Sequence, residues 1–316
     1  MIKLFQVSII CVPAVLALPF GAWAQSCAPG PATVQILGSG GPAPNRERAS
    51  SSYLLWIGSQ AKMLVDMGGG TYLRFAQSGA KLSDLALVGI SHLHPDHVSD
   101  LPALLWLSGL QRTEPLPIVG PSGNSASGLA GLDIAPDFPT FLARLFDEKN
   151  GAFQVLGRTL GASQGSGVRL NVSVVDVAKA EPSTVFKGQD LTVTAFGIPH
   201  ANMPTLAYRV ETPAGSVVFS SDQTGTNPKF VDFARNANVL IMHLSIMSGA
   251  TSTSQAQALH ATPAVVGRIA QEAAVGRLIV SHIGEIDLDA AIGELKQSYA
   301  GPLTVGADLQ CTPIAR

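Results

Sequence analysis

The segment His92-Leu93-His94-Pro95-Asp96-His97 constrains this chain more than any other part of it. Three of the seven histidines and one aspartate fall within six residues, directly after the apolar run Leu85–Ile90. A short apolar run of this kind predicts a buried strand. The ligand-type residues therefore start at a strand end and enter a loop. Alternate residues of an extended segment face the same way, so His92 and His94 can aim two imidazoles at one point. Past the turn, Asp96 and His97 can aim at a second. Imidazole with carboxylate is the donor set that open, catalytic zinc sites use. The competing reading is an incidental surface cluster, and four such residues at this spacing argue against it.

Around this segment the pattern is β-rich. Thr33–Gly38, Ser52–Ile57 and Lys62–Met67 read as strands, the last two as a hairpin about Gly58-Ser59-Gln60. The turn Gly68-Gly69-Gly70 leads to an amphipathic helix over Thr71–Ser78, and Leu101–Leu110 and Leu116–Val119 read as a helix and a strand. Residues 121–165 are rich in Gly, Ser and Pro around a helical core near Phe141–Phe146; they read equally as a lid or as a surface insertion. Strands resume at Val168–Val177, Leu191–Gly197, Leu206–Glu211 and Ser216–Ser220. Helices Lys229–Arg235, Thr262–Ala273 and Leu288–Tyr299 then alternate with strands Val239–His243, Leu278–His282 and Leu303–Val305. Two β-rich halves, each with helices to cover one face, predict an α+β domain of two packed sheets with helices outside.

The N-terminus reads as a secretory signal over residues 1–24: Lys3, the apolar stretch Leu4–Phe20, then Ala22-Trp23-Ala24. An uncleaved membrane anchor is opposed by Pro13, Pro19 and the small-residue triplet. Cleavage after Ala24 predicts a periplasmic or secreted protein, residues 25–316, with no membrane attachment. It also removes Cys11 and leaves Cys27 and Cys311. In an oxidising compartment these form a disulfide or stay as two thiols; lipidation of Cys27 is disfavoured because no Leu precedes it in Ala24-Gln25-Ser26. Charged residues make up 13% of the chain, net charge is −2 and no Lys/Arg cluster exists. That predicts a small-molecule substrate and no nucleic-acid partner.

H-x-H-x-D-H after a strand resembles the signature of the metallo-β-lactamase superfamily, and the wider pattern is most similar to its ribonuclease Z and arylsulfatase-like branch. Leu37-Gly38-Ser39-Gly40-Gly41-Pro42 resembles that branch's opening turn, Asp66-Met67-Gly68-Gly69-Gly70-Thr71 its D-x-G-x-G-T, and Pro199-His200 its next metal-binding segment. Ser220-Ser221-Asp222 resembles S-G-D-T, His260-Ala261-Thr262 resembles H-x-T, and Ile279–Ile283 resembles the strand bearing the last histidine. The resemblance runs from about Thr33 to the end.

It implies a four-layer αββα sandwich holding two divalent metal ions, zinc foremost. One ion would take His92, His94 and His200; the other would take Asp96, His97 and His282; Asp222 would bridge. His260 and Asp96 would be the catalytic residues, with His260 protonating the leaving group. Asp66 would orient a ligand histidine, or else cap the glycine turn. His243, followed by Leu244 where relatives carry Glu, would bond to a ligand or to Asp222, or be structural. Two cations about 3.5–4 Å apart lower the pKa of a shared water from about 15.7 toward about 7. The implied activity is hydrolysis of a small phosphodiester or sulfate ester. A lactonase or β-lactamase is the alternative enzyme, and a non-catalytic metal- or ligand-binding protein the alternative of another class. Ser221 stands where the family has Gly, and Gln223 intervenes before Thr224. The link between the strands carrying Tyr208 and Phe219 is a tight turn, whereas ribonuclease Z carries a long tRNA-binding arm there or elsewhere. The absence of such an arm, the export signal and the lack of basic patches oppose tRNA processing.

Overall fold

The computed structural model describes residues 27–107, 112–124, 135–249 and 254–315. The expected signal segment, residues 1–24, lies outside the described residues, as do parts of the stretches read at Leu101–Leu110 and 121–165.

Period-two alternation builds the layers. In β1 (Gly30–Gly38) and β2 (Ser52–Gly58), Val34, Ile36, Tyr53 and Leu55 face one apolar cluster while Leu37, Leu54 and Trp56 face another. Strands of the second sheet repeat this. In β10 (Gly215–Phe219), β11 (Val239–Leu244) and β12 (Leu278–Ile283), the side chains of Val217, Phe219, Ile241 and Ile279 join the cluster shared with the first sheet. Val218, Leu240, Met242 and Val280 turn to the helices instead. Three apolar clusters between four layers make an αββα sandwich, because strands covered on both faces must be apolar on both.

The first sheet has the order β14-β1-β2-β3-β4-β5-β6, with β3 (Gln60–Val65), β4 (Leu87–Gly89), β5 (Leu116–Pro121), β6 (Leu170–Val175) and β14 (Cys311–Pro313). The second has the order β13-β12-β11-β10-β9-β8-β7, with β7 (Ser183–Lys187), β8 (Thr192–Ile198), β9 (Thr205–Thr212) and β13 (Leu303–Val305). Its outer layer includes α5 (Lys229–Ala234), α7 (Pro263–Glu272) and α8 (Leu288–Lys296). The first sheet is covered by α1 (Thr71–Ser78), α3 (Leu101–Leu107) and α4 (Phe138–Phe146), and one turn of helix, α2 (Pro95–Val98), sits in the His-rich loop. A further short helix, α6 (Ser254–Leu259), precedes His260.

Strands β7 and β14 and helix α6 carry little sequence signal. The first two are short sheet edges, β7 has no fully buried residue, and edges escape the apolar alternation on which strand reading depends. Cys27 and Cys311 are disulfide-bonded with Cα atoms 5.7 Å apart, so the two-thiol alternative is not adopted. Parallel pairing is what assembles the ligand-type residues. β3, β4, β5 and β6 run parallel in one sheet and β10, β11, β12 and β13 in the other. Their C-terminal ends, where Asp66, His92, Asp222, His243 and His282 sit, therefore gather at one edge of the sandwich.

Candidate metal centre

All seven histidines of the chain meet at that edge. His92, His94 and His200 present one nitrogen each: His92 Nε2 lies 3.1 Å and His200 Nε2 3.2 Å from His94 Nδ1. Around the second point, His282 Nε2 is 3.1 Å from Asp96 Oδ2 and 3.2 Å from Asp222 Oδ2, and His97 Nε2 is 3.5 Å from Asp222 Oδ2. The same Asp222 oxygen lies 3.9 Å from His92 Nε2 and 3.8 Å from His200 Nε2, so one carboxylate faces both groups. Within each set the ligand atoms lie within 4.8 Å of one another.

The donor chemistry fits a pair of metal ions. Three imidazole nitrogens converging on one another cannot all be satisfied by the few protons among them. Two nitrogens about 2.0–2.1 Å from a tetrahedral zinc sit about 3.3 Å apart, close to the spacing seen. His97 Nε2 and Asp222 Oδ1 are buried without a hydrogen-bond partner, a cost that a cation at the site would offset.

Imidazoles at such sites are oriented through the other ring nitrogen. His200 Nδ1 donates to Leu259 O at 2.6 Å. His97 Nδ1 meets Asp66 Oδ2 at 2.8 Å, and Asp66 also accepts the Ser91 amide and hydroxyl, each at 2.7 Å. Ser91 Oγ lies 3.0 Å from His92 Nδ1 as well. Ser245 Oγ lies 2.6 Å from His282 Nδ1 and donates to His282 O at 2.7 Å. Ser91 and Ser245 escape a reading of the sequence because a lone serine carries no pattern; only contact reveals them. His243 spends both ring nitrogens on backbone: its Nδ1 donates to Ser221 O at 3.1 Å and its Nε2 accepts the Ala261 amide at 2.9 Å. It ties the backbone beside Asp222 to the backbone beside His260.

The turns are held in strained conformations. Asp66, Ala201, Ser221 and His282 have φ of 59°, 47°, 53° and 49°, and non-glycine residues in the left-handed region mark sites where surroundings over-determine the backbone. Ser221 stands in such a turn, a conformation that glycine adopts without strain. At Gly68, a Cβ would lie 2.0 Å from Asp96 O, so only glycine admits the His-rich loop.

Electrostatics separate the groups. Burial holds His92 well below the usual histidine range and His200 and His243 at about 4. Burial pushes His260 down to about 2. For His97 burial works against the charge, yet Asp222 and Asp66 hold it well above the ordinary value. Asp222 is held well below the carboxylate range despite its burial, by His282 and His97. His260 Nδ1 lies 3.9 Å from Asp222 Oδ2 and has no hydrogen-bond partner. A groove of about 520 Å³, lined by Asn124, Asn202, Thr205, Thr226 and Asn227, opens beside His200.

Residues 147–283 match the family model described as a beta-lactamase superfamily domain, and residues 32–117 match the one described as anti-Pycsar protein Apyc1. A protein named ribonuclease Z from Mycobacterium sp. (strain KMS) is 28% identical over 79% of this chain and 83% of its own length. The metallo-beta-lactamase fold protein YhfI from Bacillus subtilis superimposes with a TM-score of 0.66 at 21% identity, over 89% of this chain and 98% of its own. The short form of human tRNase Z gives 0.65 at 21% identity, over 90% and 100%. These likenesses overturn the expectation of no nucleic-acid partner, since the relatives matched over most of their length are named for cutting RNA. The inference from charge failed for a physical reason. Net charge and the lack of a Lys/Arg run describe the whole chain, whereas a scissile phosphate can be held by ions at the site.

Proposed function

From the premise that this chain belongs to the metallo-β-lactamase superfamily and is a metal-dependent hydrolase, we propose that it hydrolyses phosphodiester bonds with two divalent cations, zinc the first candidate. His92, His94 and His200 would hold one ion, Asp96, His97 and His282 the other, with Asp222 shared. The observation that carries this reading is the single Asp222 oxygen facing both nitrogen groups. The ribonuclease Z relatives favour phosphorus over a carbonyl carbon as the centre attacked. Sulfate esters, whose tetrahedral anions are alike in shape, are the second reading; lactones and β-lactams are the third.

Bound cations would supply Lewis acidity and lower the pKa of water, the chemistry that ester cleavage needs. The chain's own residues do the rest. Asp66 fixes the His97 tautomer so that Nε2 faces the site. Asp96 completes that donor set and helps to place the nucleophile. His243 holds the Ser221 and Ala261 backbones, and so sets the distance between Asp222 and His260. His260 would offer a ring N–H hydrogen bond to the leaving oxygen and so stabilise the negative charge that builds there.

Export from the cytoplasm is part of the proposal, supported by the Cys27–Cys311 bond and the residue 1–24 pattern. Alkylation and mass spectrometry of the native protein would test it, since free Cys27 would oppose it. For the activity, residues 25–316 should be purified, their metals counted, and an aryl phosphodiester, an aryl sulfate, a lactone, a chromogenic β-lactam and an RNA assayed together. Turnover of the diester or the RNA supports the proposal. Preference for the lactone or lactam rejects it, and a metal-loaded protein that turns over nothing points to a binding role.

A further inference from the structure

Asp308 belongs to neither donor set, and no catalytic step proposed for the chain uses it. Its side chain is only 7% exposed. Oδ1 accepts the Ser39 amide at 3.0 Å and the Ser39 hydroxyl at 2.8 Å. Oδ2 accepts the Ala49 amide at 2.8 Å and Arg74 Nε at 3.0 Å. Arg48 Nη1 adds bonds to Ser39 Oγ at 2.7 Å and Gly306 O at 2.6 Å. Both ends of the loop over residues 39–49 are thus gathered on one carboxylate. A buried carboxylate with four donors is a fixed node, because moving it would strand its charge.

That loop forms a wall of the second donor set. Gly41 donates its amide to Ile283 O at 3.0 Å, and Ile283 donates to Ser39 O at 2.9 Å. A Cβ on Gly41 would lie 3.1 Å from His282 Nδ1. At the other end Ser50 donates to Gly69 O at 2.9 Å, and Gly68, packed on the Asp96 carbonyl, donates to Ser51 O at 3.1 Å. The loop therefore presses on the backbones that carry His282 and Asp96. His200 and His92 lean on Leu259 and Ser91 instead.

We infer that Asp308 is a positioning residue which, through the 39–49 loop, sets the geometry of Asp96 and His282 and so controls the cation affinity of that donor set alone. This rests on the two-cation reading of the site. The Cys27–Cys311 bond, three residues on, anchors the segment that carries it.

The test titrates metal-free residues 25–316 with Zn²⁺ by calorimetry, with Asp96→Ala and His94→Ala proteins to identify which binding step belongs to which set. Asp308→Asn keeps an acceptor for Ser39 and loses the one for Ala49 and Arg74. It should weaken the Asp96/His97/His282 step by about 10–100-fold, the usual effect of removing a ligand's support. The other step should stay within about 3-fold on the same scale. Equal weakening of both steps, or a lowered melting temperature with both affinities intact, overturns the inference. If Asp308→Asn does not fold, Ser39→Ala, which removes the hydroxyl's bonds to Asp308 and Arg48 but keeps the other three donors on the carboxylate, must show the same selectivity in smaller degree. Wild-type protein that binds fewer than two ions overturns the two-cation reading itself, a result recognisably different from an unselective variant.

Discussion

The two donor sets differ in kind. His92, His94 and His200 form an all-nitrogen set whose histidines burial holds below the ordinary histidine range and which is backed by neutral oxygens, Ser91 Oγ and Leu259 O. Asp96, His97 and His282 form a set with a carboxylate of its own, a second carboxylate behind His97 and a serine behind His282. The second set thus carries more negative charge and more dedicated support. Among the described residues, Asp222 is the carboxylate whose oxygen faces both. Metal affinity and catalytic placement should therefore be separable by substitution: variants at the supports should act on one ion, and variants at Asp222 on both.

The largest effect should come from Asp222→Ala. Losing the shared carboxylate should cost about 10³-fold or more in hydrolysis, since preorganised charge at a reaction centre is worth about that much. Metal per chain, measured by atomic emission, should fall for both positions together. Loss of one ion with full retention of the other would break the comparison at its centre. Asp66→Asn comes next. It should weaken only the carboxylate-bearing set, by about 10–100-fold, because Asp66 reaches His97 directly. Its bonds to Ser91, which also touches His92, are the route by which an effect on the nitrogen set would show itself.

The same contrast explains how much of the molecule is legible in its sequence. His92, His94, Asp96 and His97 are adjacent in the chain, so their spacing alone states a chemistry. His200, Asp222, His260 and His282 arrive one at a time from separate strand ends, and only the resemblance orders them into a site. The layers are legible because β1, β2 and β9 to β12 alternate or run apolar, as covered strands must. The edges β7 and β14 are not, since little of them is buried. The supports Ser91, Ser245 and Asp308 are invisible for another reason. A single hydroxyl or carboxylate that acts by the contact it makes in the fold leaves no local pattern, and Asp308 lies 269 positions from the Ser39 it holds. His243 stands further from the ligands than an expected bond to one of them or to Asp222 implies. It is bonded to the Ser221 carbonyl and the Ala261 amide, with both ring nitrogens spent on backbone.

A smaller effect is expected from removing the disulfide. Cys27→Ser with Cys311→Ser should lower stability to denaturant by about 2–5 kcal/mol, because the bond closes nearly the whole chain. Because the same segment carries Asp308, the double variant should also weaken zinc at the carboxylate-bearing set before the nitrogen set. Equal affinities would leave the bond a purely global staple.

The smallest effect is the most delicate test of strain. Ser221 sits at φ 53° between β10 and Asp222. An L-residue there costs about 1–2 kcal/mol, so Ser221→Gly relieves that much. Glycine also gives the unfolded chain more freedom, which costs about 0.4–1 kcal/mol in the opposite direction. The relief is the larger, so the variant should be more stable by about 0.5 kcal/mol, a rise of roughly 1–2 °C in melting temperature for a domain of this size. Ser221 Oγ is 3.4 Å from His92 Nδ1, too far to contribute much, and the carbonyl that anchors His243 is kept by glycine. Zinc affinity of both sets should therefore be unchanged while stability rises. A fall in stability, or weaker binding at His92 alone, would mean that the Ser221 hydroxyl supports the nitrogen set as Ser245 supports the other, and the asymmetry between the two would shrink.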